Sequence, residues 1–223
     1  IARHFPAVPA GDYLGLLAGV VEVQARLVAD WMAVGFIHGV MNTDNMTISG
    51  ETIDYGPCAF LERYDDRAVF SSIDTGGRYR FGSQPAVAAW NLSRLAEALL
   101  PLLGAEEQAA IEAATATVEG FFERFDVAYR ERMGAKLGID GEVGAGGGGA
   151  DRDQRDRELL RDLLLLAQEA RIDYTLLFRG LAEQLRGDRD AVRGQVLDLA
   201  AYDAWTARWL HRLGLEAGDT EQA

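Results

Sequence analysis

Apolar side chains recurring every three or four residues along most of the chain require packed helices, and this periodicity constrains the fold more than any other feature. Leu16, Val20, Val23, Leu27, Trp31 and Val34 form a first stripe, which ends where Gly35 releases the helix. From Trp90 a helix turns Leu95, Leu99 and Leu102 inward and stops at Gly104, ahead of Glu106 and Glu107, whose charges suit the next helix N-terminus. Ile111, Ala114, Val118, Phe122, Phe125, Tyr129 and Met133 predict one helix of about six turns. A third long stripe is Leu163, Ala167, Ala170, Tyr174, Leu177, Leu181 and Leu185, and a last one is Leu199, Tyr202, Trp205, Trp209 and Leu213. All read as core. Trp205 and Trp209 are expected to pack against a terminal segment outside this chain, in preference to forming a protein-binding groove.

Around Ser49-Gly50 the pattern changes to period two. The pair sits between the β-prone runs Met46-Thr47-Ile48 and Thr52-Ile53, which predicts a tight hairpin. With Ser49 and Gly50 as the loop, partner numbers sum to 99, so Asn45 faces Asp54 at a Cβ separation of about 5 Å. Asn45, Thr47, Thr52 and Asp54 then share one face, and Met46, Ile48 and Ile53 the other. An amide oxygen and a carboxylate so placed suit one hard cation. The same residues also suit an ordinary hairpin whose polar face meets water. The expected fold is mainly α with a short β-hairpin.

Composition narrows the function. The chain has 223 residues, 48% of them hydrophobic, enough for one sizeable core. Its 22 basic and 35 acidic residues leave a net charge of −13, which argues against nucleic-acid and anionic-membrane partners. No apolar run approaches the roughly 20 residues that span a bilayer, and Ile1-Ala2-Arg3-His4-Phe5-Pro6 lacks the apolar core of a secretory signal. A soluble cytoplasmic setting is expected, with an organellar address left open. Cys58 is the single cysteine, which excludes an internal disulfide and a cysteine-rich zinc site; it is expected to be a small buried residue, with a disulfide to a segment outside this chain left open. Residues 138–151, dense in glycine, read as a flexible linker. They lack the Gly-Lys-Ser/Thr ending and the preceding strand of a phosphate loop. Asp151 to Arg161 alternates charges as a solvated helix start does, and residues from Glu216 read as a frayed tail.

His38 stands seven residues before Asn45, and Asp54-Tyr55-Gly56 follows. This order resembles the protein-kinase arrangement His-x-Asp-x-x-x-x-Asn followed by Asp-Phe-Gly, in which the Asn and the later Asp hold magnesium. Val40 occupies the place of the kinase catalytic Asp and cannot accept a proton. Asp44 is the other carboxylate in the loop, available as a base or as an outer partner of the metal. The run His38-Gly39-Val40-Met41-Asn42-Thr43-Asp44-Asn45, the turn Asp54-Tyr55-Gly56-Pro57, the segment Phe70-Ser71-Ser72-Ile73-Asp74, the loop Gly77-Arg78-Tyr79-Arg80-Phe81-Gly82-Ser83-Gln84-Pro85 and the stretch Trp90 to Pro101 closely resemble the selenoprotein O family. Weaker similarity continues at Asp173-Tyr174-Thr175 and Phe178-Arg179. Ser83 departs from the family, where Asn is usual.

The resemblance implies a protein-kinase-like fold that binds ATP in a flipped orientation and moves AMP from ATP to Ser, Thr or Tyr hydroxyls of proteins. Residues 1–137 would then be the C-lobe core, holding the metal and catalytic loop (35–57) and a loop placed like an activation segment (58–89). Residues 152–215 would complete the same lobe, and 216–223 the tail. A nucleotide-binding N-lobe would lie outside this chain, because Lys136, the only lysine, stands far downstream of the motif beside the Gly-rich stretch. The chain alone is therefore expected to be inactive. By position, Asp44 resembles the family's proposed base, and Asn45 and Asp54 its ligands for Mg²⁺ or Mn²⁺. Arg78 suits either a phosphate or one of the many acids. His38 reads as a structural brace for the loop. Asp74 and Glu62 read as solvated carboxylates. The oligomeric state is not set. Two rival functions remain: a phosphotransferase with the same ligands, and a pseudokinase that binds nucleotide or a partner as a scaffold. Product mass separates the first, metal-dependent turnover the second.

Overall fold

The first helix starts where the Asp12 carboxylate accepts a hydrogen bond from the Gly15 amide at 2.7 Å, the usual way an aspartate satisfies an orphan donor at a helix start. This helix, α1 (Tyr13–Val34), ends at Gly35, whose left-handed backbone (φ 73°) returns its amide to Trp31 and Met32. Residues 1, 3–104, 106–139 and 149–220 are described by the computed structural model. The expected linker therefore lies outside the described residues at positions 140–148, as do residues 221–223 of the expected tail.

The described chain forms two compact units. One comprises Ile1–Phe60 and Arg67–Tyr129, the other Leu61–Asp66 and Arg130–Ala223. In the first unit α1 packs on α2 (Gln84–Leu99) and α3 (Glu107–Glu119), which also pack on each other. Leu17, Ala96 and Ala114 are buried together there, with Leu95, Leu99, Leu100, Leu103 and Val118 around them. Val20 and Trp31 of the expected stripe are buried, but the buried face of α1 is centred about one residue further on, through Leu17, Val21, Gln24 and Val28, and Val34 is 51% exposed. Ala25 and Ala29 are fully buried on that face, and such small residues do not register in a pattern of large apolar side chains. Helix α2 begins six residues before Trp90, with Pro85 in its first turn, where a missing amide costs nothing. Its inner residues are Val87, Ala88, Asn91, Leu92 and Ala96, whereas Trp90 is 44% and Leu102 52% exposed.

The single helix expected from Ile111 to Met133 is two helices. Gly120 separates α3 from α4 (Phe121–Leu137), the second of which passes from the first unit into the second. The third long stripe is also divided. Helix α5 (Gly149–Ala170) ends before Arg171, which takes a left-handed backbone (φ 52°), and Asp173 caps α6 (Tyr174–Leu185) by accepting from the Leu176 amide at 2.8 Å. In this second unit α6 packs on the short α7 (Asp190–Arg193), and α5 on α8 (Leu199–Thr220). Trp205 and Trp209 stack at 5.5 Å, each 1% exposed. Their indole N–H groups donate to the Leu159 and Leu137 carbonyls, both at 2.8 Å. Their partners are within this chain, so neither a groove nor an outside segment is needed to cover them.

The described residues are thus mainly helical with one small antiparallel sheet, but the sheet is not the expected hairpin. It pairs β1 (Phe36–Ile37) with β2 (Ala59–Phe60) in the register 36 with 60 and 37 with 59. Between Met46 and Thr52 there is one isolated antiparallel bridge. Its partner numbers sum to 98, so the expected pairing of Asn45 with Asp54 does not form. The reason is competition for backbone groups. Gln24 Nε2 donates to the Thr47 carbonyl at 2.5 Å, and the Thr47 hydroxyl donates to the Glu51 carbonyl (2.9 Å) while accepting from the Glu51 amide (3.1 Å). Trp31 Nε1 donates to the Thr52 hydroxyl at 2.8 Å. Side chains of α1 and a threonine thus take the place of a ladder, and Ile48, expected on an inner face, is 42% exposed.

Candidate functional site

The loop between β1 and the Met46–Thr52 bridge is held from below by buried polar side chains. Gln84, at the start of α2 and fully buried, accepts the His38 amide on Oε1 and donates from Nε2 to the Phe36 carbonyl, both at 2.9 Å. Asn91, two turns further along α2, donates to the Met41 carbonyl at 3.0 Å. His38 is itself fully buried, against Trp31 and Phe36. Its Nε2 lies 2.8 Å from the Ile53 carbonyl, and its Nδ1 3.4 Å from the Val40 amide. A carbonyl only accepts, so Nε2 carries the proton and Nδ1 accepts. His38 thus braces the loop as expected, joining Val40 to the residue before Asp54.

Gly39 is required by close approach. Its backbone is left-handed (φ 83°), and a Cβ there would lie 2.8 Å from the Pro57 carbonyl oxygen. The loop then makes a short 3₁₀ turn over Thr43–Asn45, closed by the Asn45 amide donating to the Asn42 carbonyl at 3.0 Å. Asn45 Nδ2 donates to the Val40 carbonyl at 2.9 Å, which fixes the amide and leaves its oxygen available. Asp44 is exposed. Asp54 is exposed too, with a left-handed backbone (φ 55°) that aspartate tolerates better than most residues. Among the described residues neither carboxylate takes part in a hydrogen bond or ion pair. Asp44 and Asn45 thus stand just before the bridge and Asp54 just after it, with the bridge tying their segments together.

No group of three His, Cys, Asp or Glu side chains among the described residues is arranged to hold a metal. The donors on offer are one amide oxygen and exposed carboxylates. These are hard oxygen ligands, of the kind used where a cation keeps water or phosphate oxygens in its remaining positions. Behind the loop lies a cavity of about 310 Å³, lined by Val20, Thr43, Met46, Ala88, Leu92 and Leu95 among others.

Arg78 does not pair with an acid among the described residues. Its guanidinium lies over Trp90 at 4.6 Å and over Tyr79 at 5.8 Å. Asp74 is not a solvated carboxylate: Oδ1 accepts the Arg78 amide and Oδ2 the Tyr79 amide, each at 2.8 Å. The turn signal Asp-Thr-Gly-Gly was in the sequence. Glu62 is exposed, as expected. Cys58 is half-buried, not buried, with its thiol 3.3 Å from the Tyr55 carbonyl. Sequence reasoning also missed Gln84, Asn91 and Tyr79 as supports of the loop. For Gln84 a signal existed, because Ser83-Gln84-Pro85 marks a helix start.

Among the described residues no helix is long and apolar enough to cross a membrane. A family model described as protein adenylyltransferase SelO matches residues 1–222. A protein nucleotidyltransferase YdiU from Pseudarthrobacter chlorophenolicus is 51% identical over 212 residues, covering 94% of this chain and 42% of that protein. The proteins of the same name from Methylorubrum extorquens and Rhodopseudomonas palustris are 49% identical over 229 residues and 47% over 220. The chain spans somewhat under half the length of these curated relatives, 42–44%.

Proposed function

The chain belongs to the protein adenylyltransferase SelO family, and from that premise we propose that its 35–57 loop is the metal- and acceptor-facing part of a site moving AMP from ATP to Ser, Thr or Tyr hydroxyls of proteins. In this reading it is the C-lobe part of a kinase-like fold, and the nucleotide is completed by residues outside it. The observation that carries the proposal is the bridge at Met46 and Thr52: it joins the segment ending in Asp44 and Asn45 to the one leading into Asp54, and among the described residues the carboxylates there have no hydrogen-bond or ion-pair partner.

The roles follow from the donor chemistry. Asn45 offers an amide oxygen and Asp54 a carboxylate to Mg²⁺ or Mn²⁺. Such a cation supplies positive charge against the charge that develops on the phosphate oxygens. Asp44 orients the acceptor hydroxyl and takes its proton as the new oxygen–phosphorus bond forms at the α-phosphorus, and pyrophosphate leaves with the electrons of the broken bond. His38 holds Ile53 in place and takes no proton in this scheme, since both its nitrogens are engaged with backbone. Arg78 lies over Trp90, from which its donors can reach a phosphate.

The test is intact-mass analysis of the full-length protein with a candidate acceptor, ATP and Mg²⁺ or Mn²⁺, beside Asp54→Ala. An AMP-sized addition that disappears in the variant is expected. A phosphate-sized addition would replace adenylyl transfer with phosphotransfer, and no addition would favour the scaffold. Normal turnover by Asp54→Ala would refute the ligand assignment.

A further inference from the structure

We propose that Tyr79 is a positioning residue for the loop that carries Asp44 and Asn45, acting through its hydrogen bond to Asn42. The inference rests on the proposed role of those two residues. The Tyr79 hydroxyl donates to Asn42 Oδ1 at 2.6 Å, across 37 residues of sequence. Asn42 is the residue from which the site turn is built, since its carbonyl accepts the Asn45 amide at 3.0 Å. One residue thus has its side chain held by Tyr79 and its backbone holding Asn45. Val40 fixes the same Asn45 from the other side, through the amide nitrogen.

Tyr79 is well suited to this because its own position is fixed. Both oxygens of Asp74 are used on the amides of Arg78 and Tyr79, which sets the direction in which the tyrosine leaves the turn. Gly77, with φ 63°, lets the chain fold back over Asp74. The Arg78 guanidinium rests on Trp90 of α2 on one side of Tyr79. Two residues past it, Phe81 is 1% exposed and its amide donates to the Ala68 carbonyl at 3.0 Å. The result is a clamped turn whose tyrosine reaches the site loop. Met41 next door is fixed to α2 by Asn91, and the 3₁₀ turn follows with Thr43 and Asp44 exposed. Losing the hydroxyl frees the segment from Asn42 to Asn45 while leaving the scaffold intact, and small displacements of a reacting group lower the rate more than they lower binding.

Tyr79→Phe, Asn42→Ala and the double variant, made in the full-length protein, test this. Tyr79→Phe keeps the ring and removes the single oxygen, so folding is expected to be unchanged. The expected result is a kcat lower by roughly 5–10-fold with KM for ATP within about twofold, the range one hydrogen bond commands. Mn²⁺ affinity, read by electron paramagnetic resonance without turnover, is expected to fall with it. Asn42→Ala should give a similar loss, and the double variant should be no worse than the poorer single, because both remove one contact. Wild-type kcat and Mn²⁺ affinity in Tyr79→Phe, or losses that multiply in the double variant, would overturn the inference. Asp44→Ala and Asn45→Ala run in parallel separate the two levels. If they are inactive while Tyr79→Phe behaves as wild type, the positioning role alone is wrong; if both turn over normally, both proposals fall.

Discussion

Replacing Gln84 by Met removes its two hydrogen bonds to the loop backbone, together with a weak one to the Met32 sulfur, and leaves the packing nearly unchanged, which makes its cost calculable. The side chain is fully buried, as is His38, and Phe36 is 5% exposed. Met fills a similar volume, so the cavity contribution is small. What is lost is the acceptor for the His38 amide and the donor to the Phe36 carbonyl, both at 2.9 Å. Each group left buried without a partner costs about 1–3 kcal/mol, so the pair should cost roughly 4 kcal/mol. For a chain of this size that corresponds to a melting temperature lower by about 8–16 °C. Urea denaturation would measure the loss, and amide hydrogen exchange at His38 would localise it, since that amide should turn from protected to fast-exchanging. Gln84→Glu keeps an acceptor for His38 but cannot donate to Phe36 when ionised and buries a charge, so it should be no better than Met. A loss below about 1 kcal/mol, with the His38 amide still protected, would refute the view that Gln84 holds the loop.

Two further expectations concern the second unit. Trp209→Phe removes the indole donor to the Leu137 carbonyl and part of a buried stack, and should cost about 2–3 kcal/mol by urea denaturation; an unchanged midpoint would show that the bond contributes nothing net. Burial, with smaller contributions from the charges of Asp66 and Asp65, pushes the Tyr64 phenol up to about 12 from its ordinary 10. An unfolded tyrosine ionises near 10, so the unfolded state loses its proton first, and stability should fall between pH 10 and 12 by about 2–3 kcal/mol. Tyr64→Phe should flatten that alkaline loss, and urea midpoints from pH 9 to 11.5 that run parallel in the two proteins would contradict it.

The helices were legible because burial imposes a period on large apolar residues, and their interruptions were not, because the same period runs straight across Gly120 and across Arg171 to Asp173. A capping aspartate at 173 and a glycine at 120 were the only local marks. The hairpin register failed for a different reason. Turn chemistry at Ser49-Gly50 is local, but the pairing is also set by residues more than twenty positions earlier: Gln24 takes the Thr47 carbonyl that a ladder would have used, and Trp31 holds the Thr52 side chain. The loop residues themselves stood out by their order along the chain. Their supports did not: Gln84, Asn91 and Tyr79 act across 46, 50 and 37 residues, and nothing in a single sequence joins such distant pairs.

The division of labour in the loop has a consequence for how its candidate residues should be tested. Backbone groups of residues 36–45 are satisfied by β2, by the Asn42–Asn45 turn and by side chains of His38, Asn45, Gln84 and Asn91, so the loop is held without help from its own acids. Asp44 and Asp54 therefore contribute little to stability, and changing them should report on function alone. Asp54 carries one complication, its left-handed backbone. Alanine there costs roughly 1 kcal/mol more than glycine, which adopts that conformation freely. Asp54→Gly should thus fold at least as stably as Asp54→Ala while removing the same carboxylate, and the two should be equally defective in transfer. A difference in activity that follows stability would mean that Asp54 acts by shaping the turn; equal loss at unequal stability would assign the effect to its oxygens.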